Sequence, residues 1–179
     1  MEDGTSRRNI TVFGHRGARG IYPENTMAGF QYLQDIGINA VEFDVQNAAN
    51  RLTIIAHDPY VTMPDGESGE MRSQLIRHTK ATDLTKIKVG ALSPRSDYAI
   101  QFPDQARLPD ARIPTFATFC MWAAQHPLLM LNVEVKSHAE QADLYDPPEI
   151  IVSDVVDLLG KHNLCHRSIL SSFDWRVLL

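Results

Sequence analysis

Residues 40–46 (AVEFDVQ) alternate between apolar and polar side chains. A period of two is typical of a β-strand and places Glu42 and Asp44 on one face, with the apolar residues on the other. Two neighbouring carboxylates that leave water repel each other and lose solvation energy, and a divalent cation removes that cost. The strand is therefore predicted to carry half of a metal site, although the pair would also suit the solvent side of a half-exposed strand.

Further short, β-rich apolar runs predict four more strands, and helical periodicity appears between them. One helix is predicted to begin at Asn25 or Thr26 and to end at Gly37, because Asn and Thr cap helix starts and Gly ends helices. The alternation of strands and helices indicates an α/β fold. The additional strands lie at 10–14, 52–56, 129–135 and 167–172, and the other helices at 116–125 and 149–162.

The strand at 52–56 follows the acidic strand too closely for an ordinary parallel crossover, which needs a helix of its own. An antiparallel hairpin with its turn near 49–51 is the simpler prediction. Its register sets His57 nearly opposite Asp44, and a parallel pairing would also bring His57 close to the acidic pair.

The stretch 59–112 shows weak periodicity and many turn-forming residues, and only 83–89 suggests a helical turn. A long irregular segment inside a compact domain is either evidence against the assignment of its elements or the mark of a functional insertion. We expect the latter, an insertion that caps the site and contributes to the choice of substrate.

The chain has 179 residues, 44% of them hydrophobic, which is enough for a single core and predicts one domain over 1–179. The net charge of −5 argues against a nucleic-acid surface, and no apolar run is long enough to span a membrane. No signal peptide is visible, so we expect a cytoplasmic protein, or a periplasmic or secreted one if a leader has been removed. The two cysteines, Cys120 and Cys165, are predicted to be buried free thiols.

Residues whose side chains could bind a metal, transfer protons or contact a phosphate follow one another at the ends of the predicted strands. In an α/β barrel or a doubly wound sheet, these strand ends meet at one mouth. Three carboxylates can hold a hard cation, two imidazoles can exchange protons, and two cations can contact a phosphoryl group. Each residue alone has a simpler explanation, such as a surface ion pair, but their succession favours a site. The residues are His15, Arg16, Glu42, Asp44, His57, Glu134 and Lys136.

The same motifs resemble those of the glycerophosphodiester phosphodiesterases, in that family's order and spacing. The resemblance extends from about residue 10 to 176. Its segments read HRG at 15–17, PENT at 23–26, VEFDV at 41–45, IAHDP at 55–59, IPTF at 113–116, NVEVK at 132–136 and SSF at 171–173.

The resemblance implies a TIM-type (β/α) barrel and metal-dependent hydrolysis of small-molecule glycerophosphodiesters to glycerol 3-phosphate and an alcohol. It leaves open whether the metal is Mg or Ca, and whether water or the substrate's own glycerol hydroxyl attacks. By this resemblance Glu42, Asp44 and Glu134 are metal ligands, His15 and His57 are the acid–base pair, and Arg16 and Lys136 contact the phosphate.

The chain departs from the family in length, because a barrel of eight strands usually takes about 250 residues. About five of the eight strands are predicted here, so we expect a barrel that is incomplete at the C-terminus, as a portion of a longer enzyme. The alternatives are a phospholipase D-like enzyme of the same fold and a non-catalytic remnant that binds metal or phosphodiesters.

Overall fold

The computed structural model describes residues 10–64, 71–91 and 96–179, with side chains described except at 63 and 64. Its strands are β1 (Ala40–Asn47), β2 (Thr53–Ile55), β3 (Tyr60–Pro64), β4 (Met71–Leu75), β5 (Met130–Val135) and β6 (Ser168–Ser171). Its helices are α1 (Met27–Asp35), α2 (Ala81–Leu84), α3 (Asp97–Gln101), α4 (Phe116–Ala123) and α5 (Pro148–Lys161).

The main sheet has the order β2-β1-β5-β6. The strands β1, β5 and β6 are parallel, whereas β2 runs antiparallel to β1 with Val45 opposite Ile55. The hairpin predicted between the acidic strand and 52–56 is thus confirmed. Parallel strands joined through helices on one side of the sheet make this an incomplete (β/α) barrel, as the sequence predicted.

The core lies between the apolar face of this sheet and the helices α1, α4 and α5. Phe43 projects from β1 to within 4.3 Å of the Phe119 ring and 5.8 Å of the Phe30 ring, measured between centroids. Two of the helices have a threonine N-cap. The Thr26 side chain accepts a hydrogen bond from the amide of Gly29 at the start of α1, and Thr115 caps α4 in the same way. The alternation of β1 therefore leaves its polar face free for a site.

The predicted strand at 10–14 is wrong in extent. Only Gly14 pairs with the sheet, through a parallel bridge to Val41. Ile10 and Val12 are exposed, so the apolar residues that suggested a strand bury little surface. Local β propensity without a packing partner did not produce a strand here.

The insertion predicted at 59–112 contains more regular structure than its sequence pattern suggested. The strands β3 and β4 pair as an antiparallel hairpin, with Tyr60 opposite Leu75. The helix α2 covers only the start of the suggested turn at 83–89. Ile76 and Leu84 are buried against Ile54 of β2 in a second small core. We call residues 59–112 the excursion.

The two cysteines lie in different environments. Cys120 is a buried free thiol, as predicted, but Cys165 is exposed, because it begins the short turn after α5 while its neighbour Leu164 takes the buried position. In the part of the chain that the structure describes, no helix has both the length and the apolar character needed to cross a bilayer.

Candidate active site

The acidic residues meet on the polar face of the sheet because β1 and β5 are in parallel register. Asp44 lies beside Glu134, and Glu42 precedes Asp44 by two residues on the same face. One carboxylate oxygen from each of the three lies within 4.8 Å of the other two. Asp44 is fully buried and Glu42 is only 9% exposed.

This cluster has the properties of a cation site. Glu42 Oε1 is buried and, among the described residues, receives no hydrogen bond. Burial, together with the nearby charges of Asp44 and Glu134, raises the pKa of Glu42 from 4.5 to about 7. Oxygen ligands suit hard cations such as Mg²⁺ and Ca²⁺. The three carboxylates therefore fit a divalent ion.

The loop after Gly14 folds tightly over Glu42. Arg16 and Gly17 both have positive φ angles, 51° and 79°. At Gly17 a Cβ atom would also come within 3.1 Å of the Phe30 ring. The Gly17 amide donates to the Glu42 carbonyl, and the Arg16 amide donates to Glu42 Oε2 at 2.9 Å. Backbone geometry thus fixes the residues that flank the acidic cluster.

His15 lies at the mouth of this loop. Its Nε2 is 3.7 Å from Glu42 Oε2, and 59% of its side chain is exposed. Partial burial lowers the pKa of His15, and the positive charges of Arg19 and Arg16 act in the same direction. At neutral pH the ring is therefore held in the neutral form, which can accept a proton.

Two cations border the carboxylates. Arg16 places Nη1 3.0 Å from Glu24 Oε1 and Nε 3.4 Å from Asp44 Oδ2. Lys136 places Nζ 2.9 Å from Asp44 Oδ1 and also donates to Glu134. Both side chains are mostly buried, with exposures of 14% and 11%. Positive charge therefore lies on both sides of Asp44.

His57 follows the end of β2. Its Nδ1 is 2.7 Å from Asp58 Oδ1, and this hydrogen bond lowers the pKa of Asp58. A carboxylate partner at Nδ1 fixes the ring's tautomer and leaves Nε2 for a ligand. Gln46 of β1 donates to the carbonyls of Ala56 and Asp58 and so anchors the segment. A cavity of about 170 Å³ adjoins His57.

Six of the seven residues predicted for the site meet at the polar face of β1 and β5, and His57 lines a cavity together with Glu24 and Asn25. Other contributors were missed. Asn25, interpreted only as a possible helix cap, donates from Nδ2 to Asp44 Oδ2 at 2.9 Å. Its φ of 54° is a conformation that Asn tolerates better than most residues. Glu24 and Asp58 also position site residues. Their place in the PENT and HDP runs was the available signal.

Comparison with known proteins supplies the family. The sequence matches the glycerophosphoryl diester phosphodiesterase family over residues 15–179. The chain belongs to this family. The resemblance inferred from the motifs is thereby confirmed.

Three relatives show the extent of the similarity. YhdW of Bacillus subtilis (strain 168), which carries the family's name provisionally, is 27% identical over 165 residues, or 92% of this chain and 58% of YhdW. A family structure from Silicibacter pomeroyi DSS-3 is 28% identical with a TM-score of 0.83, over 94% of this chain and 59% of that one. The phosphodiesterase OLEI02445 of Oleispira antarctica, solved with the product sn-glycerol-3-phosphate, is 27% identical with a TM-score of 0.69, over 94% of this chain and 60% of that one. The chain thus spans less than two thirds of the length of each of these three relatives.

Proposed function

We propose that this chain carries the metal and phosphate sites of a phosphodiesterase that hydrolyses glycerophosphodiesters to glycerol 3-phosphate and an alcohol. The observation that carries the proposal is the buried cluster of Glu42, Asp44 and Glu134, with an unpartnered oxygen on Glu42 and cations beside Asp44. The product complex of OLEI02445 supports the substrate class.

The carboxylate cluster would hold a divalent cation, Mg²⁺ or Ca²⁺, which when bound supplies charge stabilisation to a phosphoryl group. Arg16 and Lys136 lie where they can contact the remaining phosphoryl oxygens, because both approach the cluster from its rim. Their charges stabilise the negative charge of the phosphoryl group in the bound substrate as well as in the transition state. The two cationic side chains and the metal site would therefore contact the same phosphoryl group of the substrate.

His15 and His57 would each carry out one of the two proton transfers of the reaction, one as the base and the other as the acid. The lowered pKa of His15 fits a base that removes the proton of the attacking hydroxyl, from water or from the substrate's glycerol. His57, with Asp58 at its Nδ1, fits the acid that protonates the leaving alkoxide through Nε2. The assignment of the base follows from electrostatics, since burial and the arginines beside His15 disfavour its protonation.

The test is hydrolysis of glycerophosphocholine, followed by an enzymatic assay of glycerol 3-phosphate. We expect turnover with Mg²⁺ or Ca²⁺, loss of turnover in EDTA, and recovery when the metal is added back. Turnover that EDTA leaves unchanged contradicts the metal site. Release of phosphocholine and glycerol in place of glycerol 3-phosphate contradicts the assignment of the cleaved bond.

The same protein samples also test the alternative, a binding module without catalytic activity. Calorimetric titration with Mg²⁺, Ca²⁺ and sn-glycerol 3-phosphate measures the two sites without requiring turnover. Binding of both ligands with no hydrolysis supports the module. Glu42 and Asp44 would then serve recognition alone.

A further inference from the structure

The part of the excursion around α3 reaches back to the loop that carries Arg16. Tyr98, in α3, donates its hydroxyl hydrogen bond to Glu24 Oε2. Gln105 donates from Nε2 to the carbonyl of Arg19 at 2.7 Å. Side chains far apart in sequence therefore connect the excursion to the phosphate side of the site.

Glu24 is the shared element of this connection. Its two carboxylate oxygens accept from Arg16 Nη1 at 3.0 and 3.2 Å, while Oε2 also accepts from Tyr98. The side chains of Arg16 and Glu24 are 14% and 24% exposed. Hydrogen bonds to charged groups that are partly removed from water are stronger than neutral ones. The orientation of Glu24 therefore influences that of the guanidinium.

The ring of Tyr98 is itself held in place. It packs on Phe102 with centroids 4.9 Å apart, and the Arg19 guanidinium lies 4.9 Å from the Phe102 centroid. Burial, together with the hydrogen bond to Glu24, raises the pKa of Tyr98. The hydroxyl thus remains a donor at neutral pH and points in a fixed direction.

We propose that Tyr98 is a positioning residue for the phosphate contact of Arg16 and acts through Glu24, an inference that rests on the proposed function. The Tyr98 hydrogen bond fixes the Glu24 carboxylate, and that carboxylate fixes Nη1 of Arg16. The excursion is then part of the phosphate subsite as well as a cover for it.

The test begins with Tyr98→Phe, which removes one hydroxyl and retains the ring packing. We expect KM for glycerophosphocholine to rise about 3- to 10-fold with kcat changed less than about twofold, because a phosphate contact formed equally in ground and transition states acts on KM. Tyr22→Phe is the matched control, since the Tyr22 ring packs on Tyr32, 5.0 Å away. Its constants should stay at wild-type values. An unchanged KM in Tyr98→Phe overturns the inference.

A double-mutant cycle separates positioning from attachment of the excursion. In an Arg16→Lys background the planar guanidinium is absent, so Tyr98→Phe should raise KM no further. If Tyr98 only attaches the excursion, its substitution raises KM by the same factor in both backgrounds. Such additivity contradicts action through Arg16.

Binding distinguishes failure of this inference from failure of the proposed function. With Mg²⁺ present, Kd for sn-glycerol 3-phosphate should rise about 3- to 10-fold in Tyr98→Phe, even if the wild type shows no turnover. Turnover with equal KM and Kd in both proteins overturns only the role of Tyr98. A wild type that binds neither sn-glycerol 3-phosphate nor inorganic phosphate overturns both proposals.

Discussion

At the residue scale, a buried carboxylate needs compensation, and Glu42 is compensated on one oxygen only. Oε2 accepts the Arg16 amide, whereas Oε1 is without a donor in the described part of the chain. The cost appears as a pKa raised to about 7. The sequence predicted this conflict from the Glu42–Asp44 spacing, but it could not show which oxygen the loop would satisfy.

The raised pKa gives a prediction for the metal-free protein. A carboxyl group whose folded pKa exceeds its unfolded value favours folding in its neutral form, so its unfavourable contribution appears above pH 4.5 and is complete above about pH 7. In EDTA at pH 8, Glu42→Gln should therefore be more stable than wild type, on the order of 1–3 kcal/mol. Urea unfolding at pH 5 and pH 8 measures it. A destabilised Glu42→Gln at pH 8 contradicts the assignment.

Metal affinity should follow the same titration. Below about pH 7 a proton competes for Glu42, so Kd for Mg²⁺ should rise by up to about tenfold per pH unit. Calorimetry between pH 5.5 and 8.5 measures the slope. In Glu42→Gln the affinity should be weaker and the slope smaller, and an unchanged slope would assign the proton to another group.

The two histidines should affect turnover and leave metal binding nearly intact. We expect His15→Ala and His57→Ala each to lower kcat by about 10²–10⁴, the usual contribution of a positioned acid or base. The exposed His166 provides the matched control, and His166→Ala should retain wild-type kcat. A large loss of Mg²⁺ affinity in His15→Ala would instead indicate a ligand role.

At the element scale, the sequence predicted those segments whose pattern coincides with burial. The alternation of β1 and the apolar run of β5 were sufficient, because both strands face helices on one side. The segment 10–14 has similar residues, but Ile10 and Val12 remain exposed, so propensity overestimated the strand. The β3–β4 hairpin was missed because its pairing depends on contacts with β2 and the second core, which sequence periodicity does not show.

Asn47 connects three of these elements and provides an element-scale prediction. At the end of β1, its Nδ2 donates to Asp146 and to Asp154 of α5, while Oδ1 accepts from Thr53 of β2. Asn47→Asp would replace the donor with a third carboxylate in a position only 3% exposed. We expect a loss of about 3–5 kcal/mol in unfolding free energy, measured in urea at pH 7.

The exposed Asn163 offers the same chemical change at the surface. Asn163 follows the C-terminal end of α5 and has a φ of 56°, so Asn163→Asp should cost about 1 kcal/mol or less, from the helix dipole and the weaker preference of Asp for this conformation. Lowering the pH to about 4, where carboxylates begin to take up protons, should recover part of the loss in Asn47→Asp. Equal losses in the two variants would show that the network around Asn47 contributes little to stability.

At the scale of the whole molecule, the described sheet has an unpaired side at β6, which pairs with β5 alone in residues 10–64, 71–91 and 96–179. Ile169 in β6 is 48% exposed, and Phe173 and Trp175 beyond it are 89% and 69% exposed. Unpaired strands with apolar side chains promote association between chains. We therefore expect the 179-residue chain to self-associate at micromolar concentration.

Ile169→Lys should shift light scattering and sedimentation toward the monomer while leaving Mg²⁺ affinity unchanged, because Glu42, Asp44 and Glu134 lie on other strands. The outward-facing Val156→Lys on α5, a substitution of similar exposure at 42%, should leave the association unaltered. Equal effects of the two lysines would show that added charge, and not the edge of β6, governs association.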